Sequence, residues 1–265
     1  MLSQDANELT KNRSAYGYVP ARLVKVGHGD YDIAWGDLKL AACLPNPQDW
    51  KEGRNRSDYS SINLDRFHHA LLNGTAEDRL HGLCSVRFWG FVSGTDGRIN
   101  TPWAIKRALW LVRGNKKAAP QSVKLISQYL DKGRHHLCHG RIGEALLEII
   151  QIKFLGLSFA SKVLMFMDPS RAVVCDSVIA SNLETSSESD LRKIASDLRG
   201  PQKAQADAYS RWSEYCAEEA RRLNEAGTYW IDWNGAKEAW RAVDVERALF
   251  ALGRPRSVCT PTIFP

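Results

Sequence analysis

The stretch from Ile142 to Asp176 constrains this chain more than any other. An apolar helical pattern, Ile142 to Ile152, runs into the turn Lys153-Phe154-Leu155-Gly156, and a second apolar pattern, Phe159 to Phe166, leaves it. A short β-branched run, Val173-Val174-Cys175, then ends on Asp176. Two apolar helices joined by so short a turn must pack on each other, as a hairpin over residues 142–167. The start of the second helix carries backbone N–H groups with no intrahelical partner, and the helix dipole favours an anion there. A DNA phosphate is a suitable anion. With the second helix packed back on the first, the Asp176 carboxylate lies beside any nucleotide that the hairpin holds.

The distribution of charge points the same way. Residues 98–171 hold 13 Lys and Arg against 4 Asp and Glu, a net of +9 in a chain whose total is +6. The basic excess is therefore concentrated around the hairpin, as an electrostatic footprint for DNA would be. Lys116, Lys117 and Arg141 are candidate backbone contacts, together with Leu155, Gly156, Leu157, Ser158 and Lys162 at the hairpin itself. A solvated, lysine-rich helical surface is the plain alternative for the basic segment taken alone.

The hairpin segment resembles the helix-hairpin-helix core of the base-excision DNA glycosylases, the superfamily that includes endonuclease III and the 8-oxoguanine glycosylases. Archaeal 8-oxoguanine glycosylases carry a run of the form L-K-G-F-G-I-K-E-A-S, an apolar helix, and then L-D-x-H-I. Ile152 to Ser161 overlays that run without a gap. Asp176 falls on its catalytic aspartate, and Val178 stands where the pattern has histidine. The motif covers residues 140 to 182, and the rest of the chain is similar in length and character only. The resemblance implies a mostly α, helix-hairpin-helix glycosylase fold. It also implies a role for Asp176. Cleavage of an N-glycosidic bond builds positive charge on the deoxyribose, which a carboxylate stabilises while accepting a proton from the attacking water. The plain role for the same residue is N-cap of the next helix, and the two are compatible.

Two departures from the pattern bear on chemistry. Family members that also cut the strand attack the sugar C1′ with a lysine at the hairpin. Ser158 occupies that place, and a hydroxyl cannot form an imine, so the implied enzyme is monofunctional and uses water. Lys162, one turn later on the same face, has the plainer role of a phosphate or surface contact, with a displaced nucleophile as the alternative. Phe154 replaces the first glycine of the Gly-x-Gly pair, at a cost in backbone freedom.

At 265 residues, with 44% hydrophobic and 25% charged content, the chain reads as a globular protein with a sizeable core. Its six cysteines stand singly, without the spacing of a zinc ribbon or an iron–sulfur cluster. No metal and no cofactor are expected. No apolar run is long enough to span a membrane and no secretory leader is visible. The expectation is a cytoplasmic, monomeric protein with reduced thiols.

Residues 1–62 are punctuated by Pro20, Gly27, Gly29, Gly36, Pro45 and Pro47. They read as an irregular or β portion packed on the core, with Leu23 to Val26 the best strand. Residues 63–253 form the helical core, and 254–265 a proline-rich tail. Within the core, Phe88-Trp89-Gly90 reads as a helix break, and the last helix reads as Ala236 to Leu252. A flipped base is held by stacking and by contacts to its edge. Trp89, and then Trp240 at the start of the last helix, are the candidates for that pocket, although most of the nine tryptophans belong to the core.

The expected partner is double-stranded DNA containing a modified base. Similarity to 8-oxoguanine glycosylases suggests an oxidised purine. Bacterial proteins with this fold also resemble an anti-phage type that removes glucosylated hydroxymethylcytosine, and the lost lysine and altered hairpin incline the reading toward that base. A non-catalytic DNA-binding protein that kept the hairpin is the reading from another class. A helical scaffold with a chance match is the third.

Overall fold

Helices carry the chain, with a few short strands. The computed structural model describes residues 5–16, 21–25, 31–35, 38–40, 60–92, 101–232 and 234–253. In chain order these give α1 (Ala6–Ala15), β1 (Ala21–Lys25), β2 (Tyr31–Trp35), β3 (Leu38–Leu40), α2 (Ser61–Leu72), α3 (Ala76–Val92) and α4 (Thr101–Arg113). Then follow α5 (Val123–Cys138), α6 (Ile142–Ile149), α7 (Leu157–Met167), α8 (Ser177–Glu184), α9 (Ser189–Asp197) and α10 (Gln202–Glu225). The hairpin β4 (Trp230–Ile231) and β5 (Lys237–Glu238) and the helix α11 (Ala242–Gly253) complete it. The tail expected at 254–265 lies outside the described residues.

The core is built around α7. Ala160, Val163, Leu164, Met165, Phe166 and Met167 are all buried, so this helix is apolar around most of its circumference, as a central helix is, with Ser158, Ser161 and Lys162 as its polar positions. It packs on α2, α3, α5 and α6. Phe166 meets the His68 ring at 4.3 Å and the Trp89 ring at 5.1 Å. His68 is buried, and burial pushes its pKa down to about 3. Its tautomer follows from its partners, because the Leu64 carbonyl at 3.0 Å can only accept from Nδ1. Nε2 then accepts from the Ser85 hydroxyl at 3.0 Å. Ser85 Oγ in turn accepts the Leu23 N–H at 3.0 Å, and His81 Nε2 donates to the Leu23 carbonyl at 2.8 Å. This chain of bonds fastens β1, the first strand of the antiparallel meander β1-β2-β3, onto α3.

Three local expectations are corrected. Residues 6–15 are helical rather than irregular. The helix α1 has Leu9 as its principal apolar anchor and docks through polar residues, with Asn12 and Arg13 both buried, so hydrophobic periodicity has nothing to detect. Helix α3 runs unbroken through Gly90, which is there for contact: a Cβ at that position would lie 2.5 Å from the Phe159 ring of α7. The last helix begins at Ala242, because Lys237–Glu238 pairs with Trp230–Ile231 instead. Trp240 therefore sits in the connection before α11.

Charged side chains bind α1 to α2 and α11. Arg13 Nε donates to Asp244 Oδ1 at 2.9 Å, its Nη2 donates to Ser61 Oγ at 2.8 Å, and its guanidinium lies 3.6 Å from the centre of the Trp230 ring. Asp65 accepts from Arg247 at 2.6 and 2.9 Å and from Arg241 at 2.7 Å. Arg241 Nε also donates to Asp244 Oδ2 at 2.7 Å. Burial alone would raise both carboxyls, yet the surrounding guanidinium groups outweigh it and hold Asp65 and Asp244 below the usual carboxylate range.

Candidate active site at the helical hairpin

The turn between α6 and α7 is wound tightly. Gln151 N–H donates to the Glu148 carbonyl at 3.2 Å, Ile152 N–H to Ile149 at 3.1 Å, and Leu155 N–H to Ile152 at 3.1 Å. The chain then has to reverse, and Phe154 does so at φ +69°, in the left-handed region that disfavours a residue with a Cβ. Its surroundings hold it there. Arg87 of α3, itself 2% exposed, donates to the Phe154 carbonyl through Nη1 and to the Arg107 carbonyl through Nε at 2.7 Å. The Phe154 ring lies 5.9 Å from that of Trp110. A buried guanidinium thus secures what a glycine achieves by conformational freedom.

Helix α7 starts at Gly156, with φ −102° and ψ −176°, and no described side chain caps it. Gly156 is exposed, and a Cβ there would meet nothing within 4 Å. The N–H groups of Leu157 and Ser158 have no backbone acceptor among the described residues, and the positive end of the helix dipole lies behind them. Leu155 is 7% exposed and belongs to the packing of the turn.

Asp176 is delivered to this helix start by an extended segment that belongs to no sheet. Its backbone groups are paired by side chains instead. Tyr209 Oη donates to the Val173 carbonyl at 2.9 Å, Trp212 Nε1 donates to the Val174 carbonyl at 3.1 Å, and the Cys175 N–H donates to Ser161 Oγ at 2.9 Å. Two residues of α10 and one of α7 thereby fix the three positions before the aspartate. Asp176 Oδ1 accepts the N–H groups of Val178 at 3.0 Å and Ile179 at 3.2 Å, capping α8. Its Oδ2 lies 3.5 Å from Lys162 Nζ, and Lys162 Nζ donates to Ser158 Oγ at 2.9 Å.

Lys162 requires a correction. Its side chain is 6% exposed, against 18% for Asp176, so it is no surface phosphate contact. It projects along α7 toward Ser158 and joins the serine to the aspartate. The helical spacing of Ser158 and Lys162 is readable in the sequence; the inward direction of the lysine is not, because α7 is apolar around most of its circumference. Sequence reasoning also misses a second carboxyl. Glu246 of α11 is 2% exposed, and burial, followed by the charge of Asp176, pushes its pKa up to about 8. The one signal for it is its place among Val243, Val245, Ala248 and Leu249, all buried. Cys175 is buried as well, and burial raises its thiol far above the reactive range.

The remaining candidates are dispersed. Lys116 and Lys117 are exposed in the turn closed by the Asn115–Ala118 bridge. Arg141 is exposed at the start of α6, 3.4 Å from Glu144 Oε2. Trp89 is 1% and Trp240 3% exposed, so both rings are packed in the core rather than presented to a ligand. The hairpin, Ser158, Lys162 and Asp176 come together; the two tryptophans do not join them.

A family profile described as "Putative 8-oxoguanine DNA glycosylase OGG-like protein" matches residues 40–250. No curated protein and no solved structure matches the chain. The matched span takes in the hairpin, the clamped segment before Asp176 and the helix that carries Glu246. The chain belongs to this OGG-like family.

Proposed function

We propose that this protein is a monofunctional DNA glycosylase that flips a modified base out of duplex DNA, hydrolyses its N-glycosidic bond and leaves an abasic site. Membership of the OGG-like family supports a DNA glycosylase in general. The observation that carries the reading further is the half-satisfied carboxylate of Asp176: Oδ1 is spent on capping α8, while Oδ2 faces Lys162 at the open start of α7.

The chemistry follows from that arrangement. A backbone phosphate held by the N–H groups of Leu157 and Ser158 brings its deoxyribose toward Asp176. As the C1′–N bond breaks, the electron pair leaves with the base and positive charge spreads over C1′ and the ring oxygen. Asp176 stabilises that charge. Water attacks C1′ and gives its proton to the carboxylate. Lys162 holds the carboxylate in place, so it is a positioning residue.

One observation favours a second reading. The amine of Lys162 is 3.5 Å from Asp176 Oδ2, and an amine there is a nucleophile one turn away from the usual place. Its burial and its bond to Ser158 argue for the positioning role.

For the base, the reading is glucosylated hydroxymethylcytosine in phage DNA, with the protein acting as a monomer in the cytoplasm against invading genomes. Ser158 in the lysine position and Phe154 in the glycine position support a specialised enzyme over a housekeeping one. Excision of 8-oxoguanine is the alternative substrate reading, and a DNA-binding protein without chemistry is the alternative function. Incubation with phage DNA carrying the glucosylated base, and separately with an 8-oxoguanine duplex, followed by alkali, separates all three. The proposal expects alkali-labile sites in the phage DNA and no borohydride-trapped adduct. Release from the 8-oxoguanine duplex alone selects the repair reading, and release from neither selects binding without catalysis.

A further inference from the structure

A second surface beside the hairpin has the chemistry of a binding site. Helix α4 and the turn after it line an open groove of about 830 Å³. Its cations are Lys106, Arg107, Arg113, Lys116 and Lys117, and no lining residue among the described ones is acidic. Its floor is apolar, with Ile105, Leu109 and Trp110. Along one face of α4 the side chains alternate aromatic, guanidinium, aromatic. Arg107 lies 5.1 Å from the Trp103 ring and 4.2 Å from the Trp110 ring, and Trp103 is 43% exposed. Arg107 Nε is buried without a hydrogen-bond partner among the described residues.

Helix α4, which lines the groove, is braced against the hairpin turn. Arg87 ties the Arg107 carbonyl to that of Phe154, and Trp110 packs against the Phe154 ring. Gln121, four residues after Lys117, also binds the hairpin, accepting the Lys153 N–H at 2.7 Å and donating to the Gln151 carbonyl at 3.0 Å. Anything held at the start of α7 therefore has its neighbouring segment within reach of α4.

We propose that this groove binds an unpaired stretch of nucleic-acid strand, with bases stacked on the Trp103–Arg107–Trp110 face and phosphates on Lys106, Arg113, Lys116 and Lys117. The choice of nucleic acid as ligand rests on the glycosylase reading; the choice of unpaired strand rests on the groove. Phosphates of an intact duplex need cations alone, because paired bases keep their faces inside the stack. Unpaired bases offer those faces, and aromatic rings interleaved with cations take them without regard to sequence. The enzyme would thus prefer modified bases next to gaps, tails or open replication intermediates.

The test compares a blunt duplex with the same duplex carrying a single-stranded dT tail of about ten nucleotides, within the length range such sites cover, at either end. Binding is followed by anisotropy of a label on the blunt end. A tail at one end is expected to tighten binding by about tenfold, the effect of roughly one stacked base, and to quench tryptophan emission. Trp103→Ala removes that advantage, Arg107→Met reduces it, and both keep the wild-type melting temperature. Lys116→Ala with Lys117→Ala lowers the salt slope of tail binding by about 0.7 for each phosphate no longer neutralised. No tail advantage at either end overturns the proposal, as does an advantage that survives Trp103→Ala. A polyglutamate peptide competing as well as free dT oligomer also overturns it, and assigns the groove to acidic protein. Base release from the blunt modified duplex is measured in the same samples. Its absence in wild type sinks the enzymatic reading, while the tail comparison still decides the groove.

Discussion

Two clusters of buried charge stand side by side in this protein, and they are finished to different degrees. Between α1, α2 and α11, Arg13, Arg241 and Arg247 surround Asp65 and Asp244, and both carboxylates accept from two arginines. At the hairpin, Asp176 has one oxygen engaged in a helix cap and the other facing one lysine, with part of its surface open. In the first cluster both carboxylates are almost fully buried and each is held by two guanidinium groups, while Arg13 Nη1 and Arg247 Nε are buried without an acceptor among the described residues; its groups hold the chain together. The second keeps a carboxylate oxygen and a helix N-terminus available to a ligand. The same chemistry of carboxylate and cation is thus held by two guanidinium groups per carboxylate in one place and by a helix cap and a single lysine in the other, which makes the second the candidate for function.

Breaking the closed cluster should give the largest effect. Asp244→Leu leaves three arginines short of a counter-charge, and removing one partner of a buried ionic group costs about 3–5 kcal/mol. Urea unfolding should show a loss of that order. A loss below about 1 kcal/mol, the size typical of exposed pairs, would mean that the cluster is no more structural than the active site.

Acidity sharpens the contrast. Asp65 and Asp244 have lowered values when folded, so their contribution is present above the ordinary carboxyl range and is lost as pH falls through it. Glu246 behaves in the opposite sense. Its folded pKa of about 8 lies above the ordinary 4.5, so the folded state holds the extra proton across that window and stability declines as pH rises through it. Glu246→Gln should therefore stabilise the protein increasingly between pH 5 and pH 8 relative to wild type. A constant difference across thermal melts in that range would contradict the assignment.

Smaller effects are expected at the open cluster's edge. Lys162→Ala should lower kcat for base release by about tenfold, the rate equivalent of ~1.4 kcal/mol, with duplex affinity unchanged. Strand cleavage without alkali, with a borohydride adduct that vanishes in this variant, would make Lys162 the nucleophile instead. The smallest effect is at the surface. Lys116→Glu with Lys117→Glu should weaken binding of tailed duplexes of all sequences alike, and the salt slope should fall by about 0.7 for each unpaired-strand phosphate left without its lysine. A sequence-dependent loss would place these lysines at bases.

Much of the site is legible in the sequence because it is local. The α6–α7 hairpin follows from two apolar patterns around Gly156, and the cap at Asp176 from an aspartate before Val178 and Ile179. The rest is held by contacts between distant residues. Helix α1 docks through Arg13, a residue that no pattern of apolar spacing marks. Gly90 looks like a breaker until the Phe159 ring is brought against it. The rigidity of residues 173–175 comes from Tyr209 and Trp212, more than thirty positions away in sequence. Trp89 is misassigned from sequence for a related reason: a tryptophan's ring suits a core and a ligand equally, and only packing against Phe166 decides.

On the proposed mechanism Asp176 serves structure with one oxygen and chemistry with the other, and Asp176→Asn separates the two. Asparagine still caps α8 through its carbonyl oxygen but has no charge to offer the sugar. Single-turnover base release from a modified duplex that wild type processes should fall by about 10²–10³-fold, with the melting temperature and duplex affinity close to wild type. Base release within a few-fold of wild type, in a variant that remains folded and bound, would contradict a catalytic role for this carboxylate.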